Sequence, residues 1–274
     1  MTMGPRLHVD GSMLDASGAA FALDEGASRH VQVLRMQPGE VVRVFDGAGR
    51  EWLAEITEMG RKVVHLRVLN AVDNDRELPV QVTLAVGMTA NDRMDTLVEK
   101  ATELGAHAIQ PLLCARSVLR LDGERAIKKV AHWQAVAVAA SEQCGRAVVP
   151  RVWPVMSSTS WLQRATDSLA PGGAGVAWDA KGVLSLREAK PVRLWMESLW
   201  PHGAPALAGL AAAGGSVTRA NWCFFSGPEG GLTPEEEDLA LAGGWQAVSL
   251  GRRVLRADTA PLAMLSVIAA AAEA

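Results

Sequence analysis

The first 75 residues alternate apolar and polar positions with the two-residue period that is typical of half-buried β-strands. Three segments show this alternation and are bounded by turn residues: Val41–Asp46, Trp52–Ile56 and Lys62–Leu69. Asp24–Leu34 instead has helical spacing and is followed by a Gln-Pro-Gly break. The pattern predicts a small β-rich domain over residues 1–75, and the polar, proline-ended segment Asp73–Pro79 is the predicted linker.

From residue 76 onward, apolar runs of strand length alternate with segments of helical spacing. The predicted strands are Val80–Val86, Ala108–Leu113, Gly175–Trp178, Trp222–Ser226 and Ala247–Leu250. The predicted helices are Arg93–Leu104, Glu124–Gln143, one that begins at Pro234, and the apolar segment Ala260–Ala272. This alternation predicts a parallel α/β sheet in a domain over residues 76–274. Lys190–Ala220 is rich in Ala, Gly and Pro, so we expect a loosely structured insertion without chemistry there.

Net charge, cysteine spacing and the lengths of apolar runs exclude several classes of protein. The formal net charge of −3 argues against bulk coating of nucleic acid or anionic membrane, although it is compatible with a local basic patch. Three cysteines at long spacing form neither a disulfide framework nor a zinc site, which predicts a reducing compartment and no metal. The N-terminus lacks the apolar run of a signal peptide, and Ala260–Ala272 is shorter than the ~20 residues of a membrane span. We therefore expect a cytoplasmic protein without a membrane anchor.

The sharpest candidate for chemistry is Phe224–Glu237, where a strand ends in a glycine-rich turn and a helix begins at once. Thr233 and Glu236 have the spacing of a capping box, and Pro234 suits the first helical position. The glycines at 227, 230 and 231 either let a ligand approach backbone amides or permit positive φ, and their spacing leaves both alternatives open. A phosphate loop is disfavoured because the Gly-Lys-Ser/Thr sequence is absent.

Ser249–Ala260 also links a strand to a helix, and it carries three arginines within five positions: Arg252, Arg253 and Arg256. These arginines are compatible with a solvated loop capped by Asp258 or Thr259, and equally with contacts to an anion or RNA. Two further segments, Lys100–Gly105 and Ser141–Arg146, end helices at a glycine. For these, surface polar residues beside a helix C-cap are the simpler interpretation.

Taken together, these segments resemble those of a known family in order and spacing, along nearly the whole chain. The matching residues are Arg29–Arg35, Asp92–Met94, Lys100–Gly105, Pro111, Arg116–Val118, Glu142–Arg146, Pro150, Gly227–Gly231 and Leu250–Ala260. The chain is similar to the RsmE family, the 16S rRNA (uracil1498-N3)-methyltransferases of the SPOUT superfamily. It departs from the family pattern at Ala90-Asn91, where Lys-Gly is usual, and at Asp258, where a glutamate is commoner.

The resemblance implies a fold and a set of partners. The fold is a PUA-like RNA-binding β-barrel over residues 1–75 and a SPOUT methyltransferase domain over residues 76–274, whose parallel sheet contains a deep trefoil knot. The implied partners are S-adenosylmethionine as methyl donor, a second copy in a homodimer, and 16S rRNA or the small ribosomal subunit. Carried over by motif, the cofactor pocket comprises Gly227, Gly230, Gly231, Leu250, Gly251, Val254, Leu255 and Arg256.

The implied reaction is a direct displacement at the sulfonium methyl group by uracil N3, which must lose its imide proton. The carboxylates that remain open as the base are Glu103, Glu142, Glu229 and Asp258. The predicted catalytic residues are Glu103, Arg146 and Arg256, the arginines placing the base or stabilising the developing charge. The predicted RNA contacts are Arg29, Arg35, Arg116, Arg252 and Arg253.

Two alternative functions remain open from the sequence. Another SPOUT methyltransferase would modify a different base or a ribose 2′-hydroxyl, and product analysis separates it from the first hypothesis. A non-catalytic RNA-binding ribosome assembly factor would lack affinity for S-adenosylmethionine, which a binding measurement reveals.

Overall fold

The computed structural model describes residues 4–14, 18–166, 178–201, 203 and 219–272. The chain forms two compact units, Met1–Glu77 with Val138–Val149 and Leu78–Ala137 with Pro150–Ala274. We call the first the N-terminal unit and the second the C-terminal unit. A segment from the middle of the chain thus belongs with the N-terminal residues, and a linear division after residue 75 does not include it.

A five-stranded sheet and one α-helix build the N-terminal part of the first unit. The strands are β1 (Arg6–His8), β2 (Ala20–Ala22), β3 (Val41–Phe45), β4 (Glu51–Met59) and β5 (Val64–Val72), and the helix is α1 (Glu25–Val33). The sheet order is β1-β3-β4-β5-β2, with β1 parallel to β3 and the other pairs antiparallel. α1 begins where the sequence predicts because the Asp24 carboxylate accepts the N–H of Ala27 at 2.8 Å. The three predicted strands and the helix are confirmed.

Buried charges tie this sheet to the middle segment of the chain. The Glu51 carboxylate, 2% exposed, accepts hydrogen bonds from the guanidinium groups of Arg6 at 3.2 and 3.1 Å and of Arg43 at 3.1 Å. Arg6 also donates to the backbone carbonyl of Ser141 at 2.6 Å. Burial raises the pKa of Glu51, but the hydrogen bonds from Arg6 and Asn74 together lower it by more than burial raises it. The pKa of Glu51 therefore lies below its ordinary value.

The C-terminal unit is an α/β fold around an eight-stranded sheet whose described pairs are parallel. The strands are β6 (Val80–Gly87), β7 (Ala108–Leu113), β8 (Arg151–Val152), β9 (Met156–Ser157), β10 (Ala180–Leu184), β11 (Lys190–Pro191), β12 (Ala220–Ser226) and β13 (Gln246–Ser249). The helices that follow α1 are α2 (Asn91–Glu103), α3 (Gly123–Cys144), α4 (Ser158–Thr166), α5 (Val192–Leu199), α6 (Pro234–Ala242) and α7 (Thr259–Ala272). The sheet order is β11-β13-β10-β12-β6-β7-β8, and β9 also pairs with β7. The predicted parallel α/β sheet is confirmed.

The expected loose insertion at Lys190–Ala220 is wrong in its first part, which forms β11 and α5. Trp195 and Met196 of α5 are buried, and Trp195 packs edge-on against Phe224 with ring centroids 5.3 Å apart. Burial of these large side chains against β12 stabilises the helix although the segment as a whole is rich in Ala, Gly and Pro. Residues 202 and 204–218 lie outside the described residues.

The predicted strand Gly175–Trp178 lies mostly outside the described residues. Residues 175–177 lie outside the described residues, Trp178 is not in a strand, and the sheet strand of this region is β10. The apolar helix α7 is buried as predicted, with Met264, Leu265 and Ile268 inaccessible to solvent. Within the described ranges, no helix has the length and apolar character needed to cross a membrane.

We expect Glu51→Gln to lower the free energy of unfolding at pH 7 by about 3–5 kcal/mol, because it leaves the Arg6 charge buried without its partner. A lowered pKa contributes stability above the unfolded-state pKa of ~4.3 and loses it as the pH falls through the folded-state pKa. The difference between variant and wild type should therefore shrink below about pH 4. Urea unfolding at several pH values measures this.

The control is Glu55→Gln on the same strand. Glu55 pairs with Arg67, and the Arg67 side chain is half exposed. This variant should lose less than about 1 kcal/mol at pH 7. Equal losses in the two variants would show that burial of Glu51 has no special role.

Candidate functional site

A cavity of about 520 Å³ opens at the carboxyl ends of three neighbouring strands of the parallel sheet, β10, β12 and β13. Its wall consists largely of the strand ends and the loops that leave them, residues 184–187, 226–232, 250–251 and 253–257. Ligands of open parallel sheets bind in the crevice at this edge, and small-molecule sites have volumes of ~300–1,000 Å³. The cavity therefore has the place and the size of a ligand site.

The cavity brings together all the residues predicted for a cofactor pocket. They are Gly227, Gly230, Gly231, Leu250, Gly251, Val254, Leu255 and Arg256. Arg253, predicted to contact RNA, also lines the cavity. Sequence reasoning missed the loop after β10, including Leu186 and Arg187, because it placed that strand earlier in the chain.

We call residues 227–232 the glycine loop. Its glycines are needed for two different reasons. A Cβ on Gly227 would lie 2.7 Å from the backbone nitrogen of Leu232, and one on Gly87 at the end of β6 would lie 2.4 Å from the nitrogen of Pro228. Backbone therefore packs directly on backbone here. Gly231 has a φ of 69°, which is a left-handed conformation. Both alternatives that the sequence left open are thus present, close approach at some glycines and positive φ at another.

Gly251 in the loop after β13 combines a φ of 115° with open space where its Cβ would project. Because Gly251 lines the cavity and has a positive φ, a residue with a side chain would strain the backbone of the cavity wall at this position. Gly251 therefore has open space around its Cβ position, whereas at Gly227 the neighbouring backbone occupies that space.

The helix that follows the glycine loop begins with the predicted capping box. Thr233 Oγ1 accepts the N–H of Glu236 at 3.2 Å, and Glu236 Oε2 accepts the N–H of Thr233 at 2.9 Å. The other oxygen of Glu236 accepts the N–H of Ala115 at 3.0 Å and the hydroxyl of Ser158 at 2.7 Å. One buried carboxylate thus fixes the start of α6, the turn after β7 and the start of α4.

Burial and the nearby Glu236 raise the pKa of the Cys114 thiol to about 12.

Two side chains hold the glycine loop from different directions. Arg116 Nη1 donates to the carbonyl oxygens of Gly230 and Leu232, each at 3.1 Å. Glu229 Oε1 accepts the N–H of Ala90, just before α2, at 2.9 Å. The predicted RNA contact Arg116 therefore has partners within the chain.

The remaining predicted residues fall into several environments. Arg252, Arg253 and Arg256 are exposed on the loop after β13. Arg29 and Arg35 are exposed in the N-terminal unit, where Arg29 pairs with Glu25 of the same helix at 3.3 Å.

The predicted catalytic residue Arg146 does not lie among the described residues that line the cavity. Arg146 is 3% exposed in the N-terminal unit, and its guanidinium binds both carboxylate oxygens of Glu77, at 2.5 to 3.2 Å. Removing either partner of this buried pair would leave an uncompensated charge in the N-terminal unit.

Glu103 also has a partner within the chain. Its carboxylate accepts a hydrogen bond from Lys100 at 2.8 Å, one turn earlier on α2. Of the three predicted catalytic residues, only Arg256 is among the described residues that line the cavity. Within the described part of the chain, no group of three or more His, Cys, Asp or Glu side chains is arranged to hold a metal ion.

Two family descriptions match the chain. The family described as RNA methyltransferase domain matches residues 76–269, and that described as RNA methyltransferase PUA domain matches residues 23–69. The first match covers the whole wall of the cavity.

Relatives with assigned names cover most of the chain. The ribosomal RNA small subunit methyltransferase E of Bacillus subtilis is 34% identical over 87% of this chain and 84% of its own length. The protein of the same name from Synechocystis is 32% identical over 88% of this chain and 70% of its own length.

Solved structures show the same fold. The crystal structure of a ribosomal RNA small subunit methyltransferase E from Neisseria gonorrhoeae bound to S-adenosyl methionine is 31% identical, has a TM-score of 0.77, and covers 97% of this chain and 96% of its own. A putative methyltransferase from Legionella pneumophila, in complex with the same cofactor, is 28% identical, with a TM-score of 0.80 and 98% of each chain covered.

We expect Glu236→Ala to lower the free energy of unfolding by about 2–4 kcal/mol. The variant loses an N-terminal cap, leaves the Ala115 N–H without its acceptor, and leaves the Ser158 hydroxyl with only the longer bond to the Leu113 carbonyl at 3.4 Å. Glu235→Ala, in the same helical turn but exposed, should be close to wild type. Urea unfolding of both variants measures the difference, and equal stabilities would contradict the role of Glu236 as a shared acceptor.

Proposed function

Because the chain belongs to the ribosomal RNA small subunit methyltransferase E family, we propose that it transfers a methyl group from S-adenosylmethionine to N3 of a uridine in 16S rRNA. The observation that carries this proposal is that all eight motif residues line one cavity at the carboxyl ends of the strands. The trefoil knot that the family resemblance implies stays a prediction.

The residues present fit this cofactor. Glycine, leucine and valine supply an apolar wall with accessible backbone, and the Ser226 hydroxyl in that wall is buried without a hydrogen-bond partner in the described residues. Glu229, Arg253 and Arg256 add charges of both signs, as an amino-acid ligand with a sulfonium group requires. The residues that would hold it are Gly227, Gly230, Gly231, Leu250, Gly251, Val254, Leu255 and Arg256. When bound, it supplies an electrophilic methyl group.

The chain's own residues contribute position and charge. The loops after β10, β12 and β13 form a fixed wall that orients the reactants, which is a large share of the rate in a displacement reaction. Arg256 is exposed on that wall, where its guanidinium can stabilise negative charge that develops on a uracil oxygen.

The proton of the attacking nitrogen needs an acceptor with a free oxygen. Glu103 uses its Oε1 atom to bind Lys100, and Glu229, which lines the cavity, uses its Oε1 atom to accept the N–H of Ala90. Asp258 directly follows Ala257 of the cavity wall, and its Oδ1 has no hydrogen-bond partner among the described residues. We therefore keep Glu229 and Asp258 as candidate bases, Glu229 because it lines the cavity and Asp258 because its unpartnered oxygen lies next to the cavity wall in the chain.

We also propose that the protein acts in the cytoplasm as a homodimer, on 16S rRNA or on the small ribosomal subunit. Support for the dimer comes from α7, where Leu262 and Val267 are only half buried within one chain. Leu265 and Ile268, by contrast, are fully buried in their own unit. Support for RNA binding comes from the exposed arginines Arg29, Arg35, Arg252 and Arg253.

A product analysis tests the proposed reaction. The protein is incubated with methyl-labelled S-adenosylmethionine and unmodified small subunits or 16S rRNA, and the RNA is digested to nucleosides for mass spectrometry. We expect labelled 3-methyluridine. Label in another base or in a 2′-O-methyl group would identify a different methyltransferase, and binding to RNA without transfer would favour an assembly factor.

We expect Gly251→Val to abolish measurable binding of S-adenosylmethionine while the protein stays folded. Valine at a φ of 115° is strained, so the loop that lines the cavity would have to change its backbone. Gly39→Val is the matched control, because Gly39 has a φ of 91° and open space but lies in the N-terminal unit. Calorimetry on both variants measures affinity, and loss of binding in both would point to general destabilisation.

We expect Arg29→Ala and Arg35→Ala to weaken RNA binding and to keep the affinity for S-adenosylmethionine. Removing one phosphate contact should reduce the slope of log affinity against log salt by ~0.7–0.9. Arg67→Ala serves as control, since Arg67 is a half-exposed arginine of the same unit that pairs with Glu55. Wild-type affinity and slope in the first two variants would show that neither α1 nor the turn after it contacts RNA.

A further inference from the structure

We propose that Arg116 is a positioning residue for the glycine loop, not the RNA contact that its charge suggests. This inference rests on the proposed function, since it assigns Arg116 to the loop that would hold S-adenosylmethionine. It is carried by four observations: a rigid turn that presents Arg116, two hydrogen bonds to the loop, a close packing contact at Gly230, and a second anchor at Glu229.

The turn after β7 presents Arg116 in one orientation. Ser117 N–H donates to the carbonyl of Cys114 at 3.1 Å, and Ser117 Oγ accepts the N–H of Cys114 at 3.0 Å. Ser117 is buried, and the N–H of Ala115 is bound to Glu236 at 3.0 Å. Each residue next to Arg116 is therefore fixed by a hydrogen bond, so little freedom is left for the backbone that carries its side chain.

The guanidinium of Arg116 binds two carbonyl groups of the glycine loop. Nη1 donates to the oxygens of Gly230 and Leu232, both at 3.1 Å. These residues flank Gly231, whose φ of 69° turns the chain between them. A guanidinium stays charged at every accessible pH, so the two carbonyls are held by charge-assisted bonds under all assay conditions.

The packing between turn and loop leaves no space for a side chain. A Cβ on Gly230 would lie 2.9 Å from the Cβ of Arg116 and 3.3 Å from its carbonyl oxygen. Gly230 lines the cavity, so a shift of the loop at this point changes the cavity wall. This explains the glycine at 230 by contact with Arg116.

Glu229 anchors the same loop to another element. Its carboxylate accepts the N–H of Ala90 at 2.9 Å and lies 3.8 Å from Arg93 of α2. The loop is thus held to the start of α2 through Glu229 and to the turn after β7 through Arg116. Removing the Arg116 side chain leaves the carbonyls of Gly230 and Leu232 without this donor, while the bond between Glu229 and Ala90 stays in place.

The experiment compares Arg116→Ala, Arg116→Lys and Arg120→Ala. Arg120 is an exposed arginine four residues later and, in the part of the chain that the structure describes, makes no hydrogen bond or ion pair. Arg120→Ala therefore removes the same charge without touching the glycine loop. Thermal unfolding confirms that each variant is folded before binding is measured.

Three readouts separate a positioning role from an RNA contact. Hydrogen exchange of the amides of residues 229–233, measured without any ligand, should become faster in Arg116→Ala and stay unchanged in Arg120→Ala. The dissociation constant for S-adenosylmethionine should rise about tenfold in Arg116→Ala and less in Arg116→Lys, which retains a donor. RNA affinity and its salt dependence should not fall more in Arg116→Ala than in Arg120→Ala.

Unchanged exchange and cofactor affinity in Arg116→Ala, together with weaker RNA binding, would overturn the proposal and restore the RNA contact. If the wild-type protein does not bind S-adenosylmethionine, the proposed function fails, and hydrogen exchange alone still decides whether Arg116 holds the loop. If exchange is then the same in Arg116→Ala and Arg120→Ala, the proposal fails as well.

Discussion

The candidate site depends on direct packing of backbone against backbone at the ends of β6 and β12. Pro228 lies so close to Gly87 that no Cβ fits between them, and the same holds for Gly227 and Leu232. Because side chains are excluded here, the loop after β12 folds back on its own strand end and exposes its other side to the cavity. The loops after β10 and β13 complete the wall around this fixed centre.

Elements with strong local patterns could be predicted from the sequence. The capping box at Thr233, the helical spacing of Asp24–Leu34 and the β-α alternation gave correct helices and most sheet strands. Strands of two or three residues, such as β1, β8 and β9, are too short to show a period, and their partners lie far along the chain. α5 was missed because its stability comes from burying Trp195 against β12, which is a tertiary contact.

The residues of the candidate site were predicted unevenly for a physical reason. Motif glycines and the loop after β13 meet in the cavity because strand ends of a parallel sheet converge. Arginines were harder to assign, since a sequence shows their charge but not their partners. Arg116 and Arg146 both have acceptors within the chain, the first on carbonyl groups and the second on Glu77. Such intramolecular pairing is invisible until the fold is known.

The order of strands in the sheet has a consequence for synthesis of the protein. β6 is made early, but one of its two neighbours is β12, which is about 140 residues further along the chain. Until that residue range leaves the ribosome, β6 keeps an open edge that can pair with other chains. The centre of the sheet, and with it the cavity, is therefore completed only when the last third of the chain has been translated.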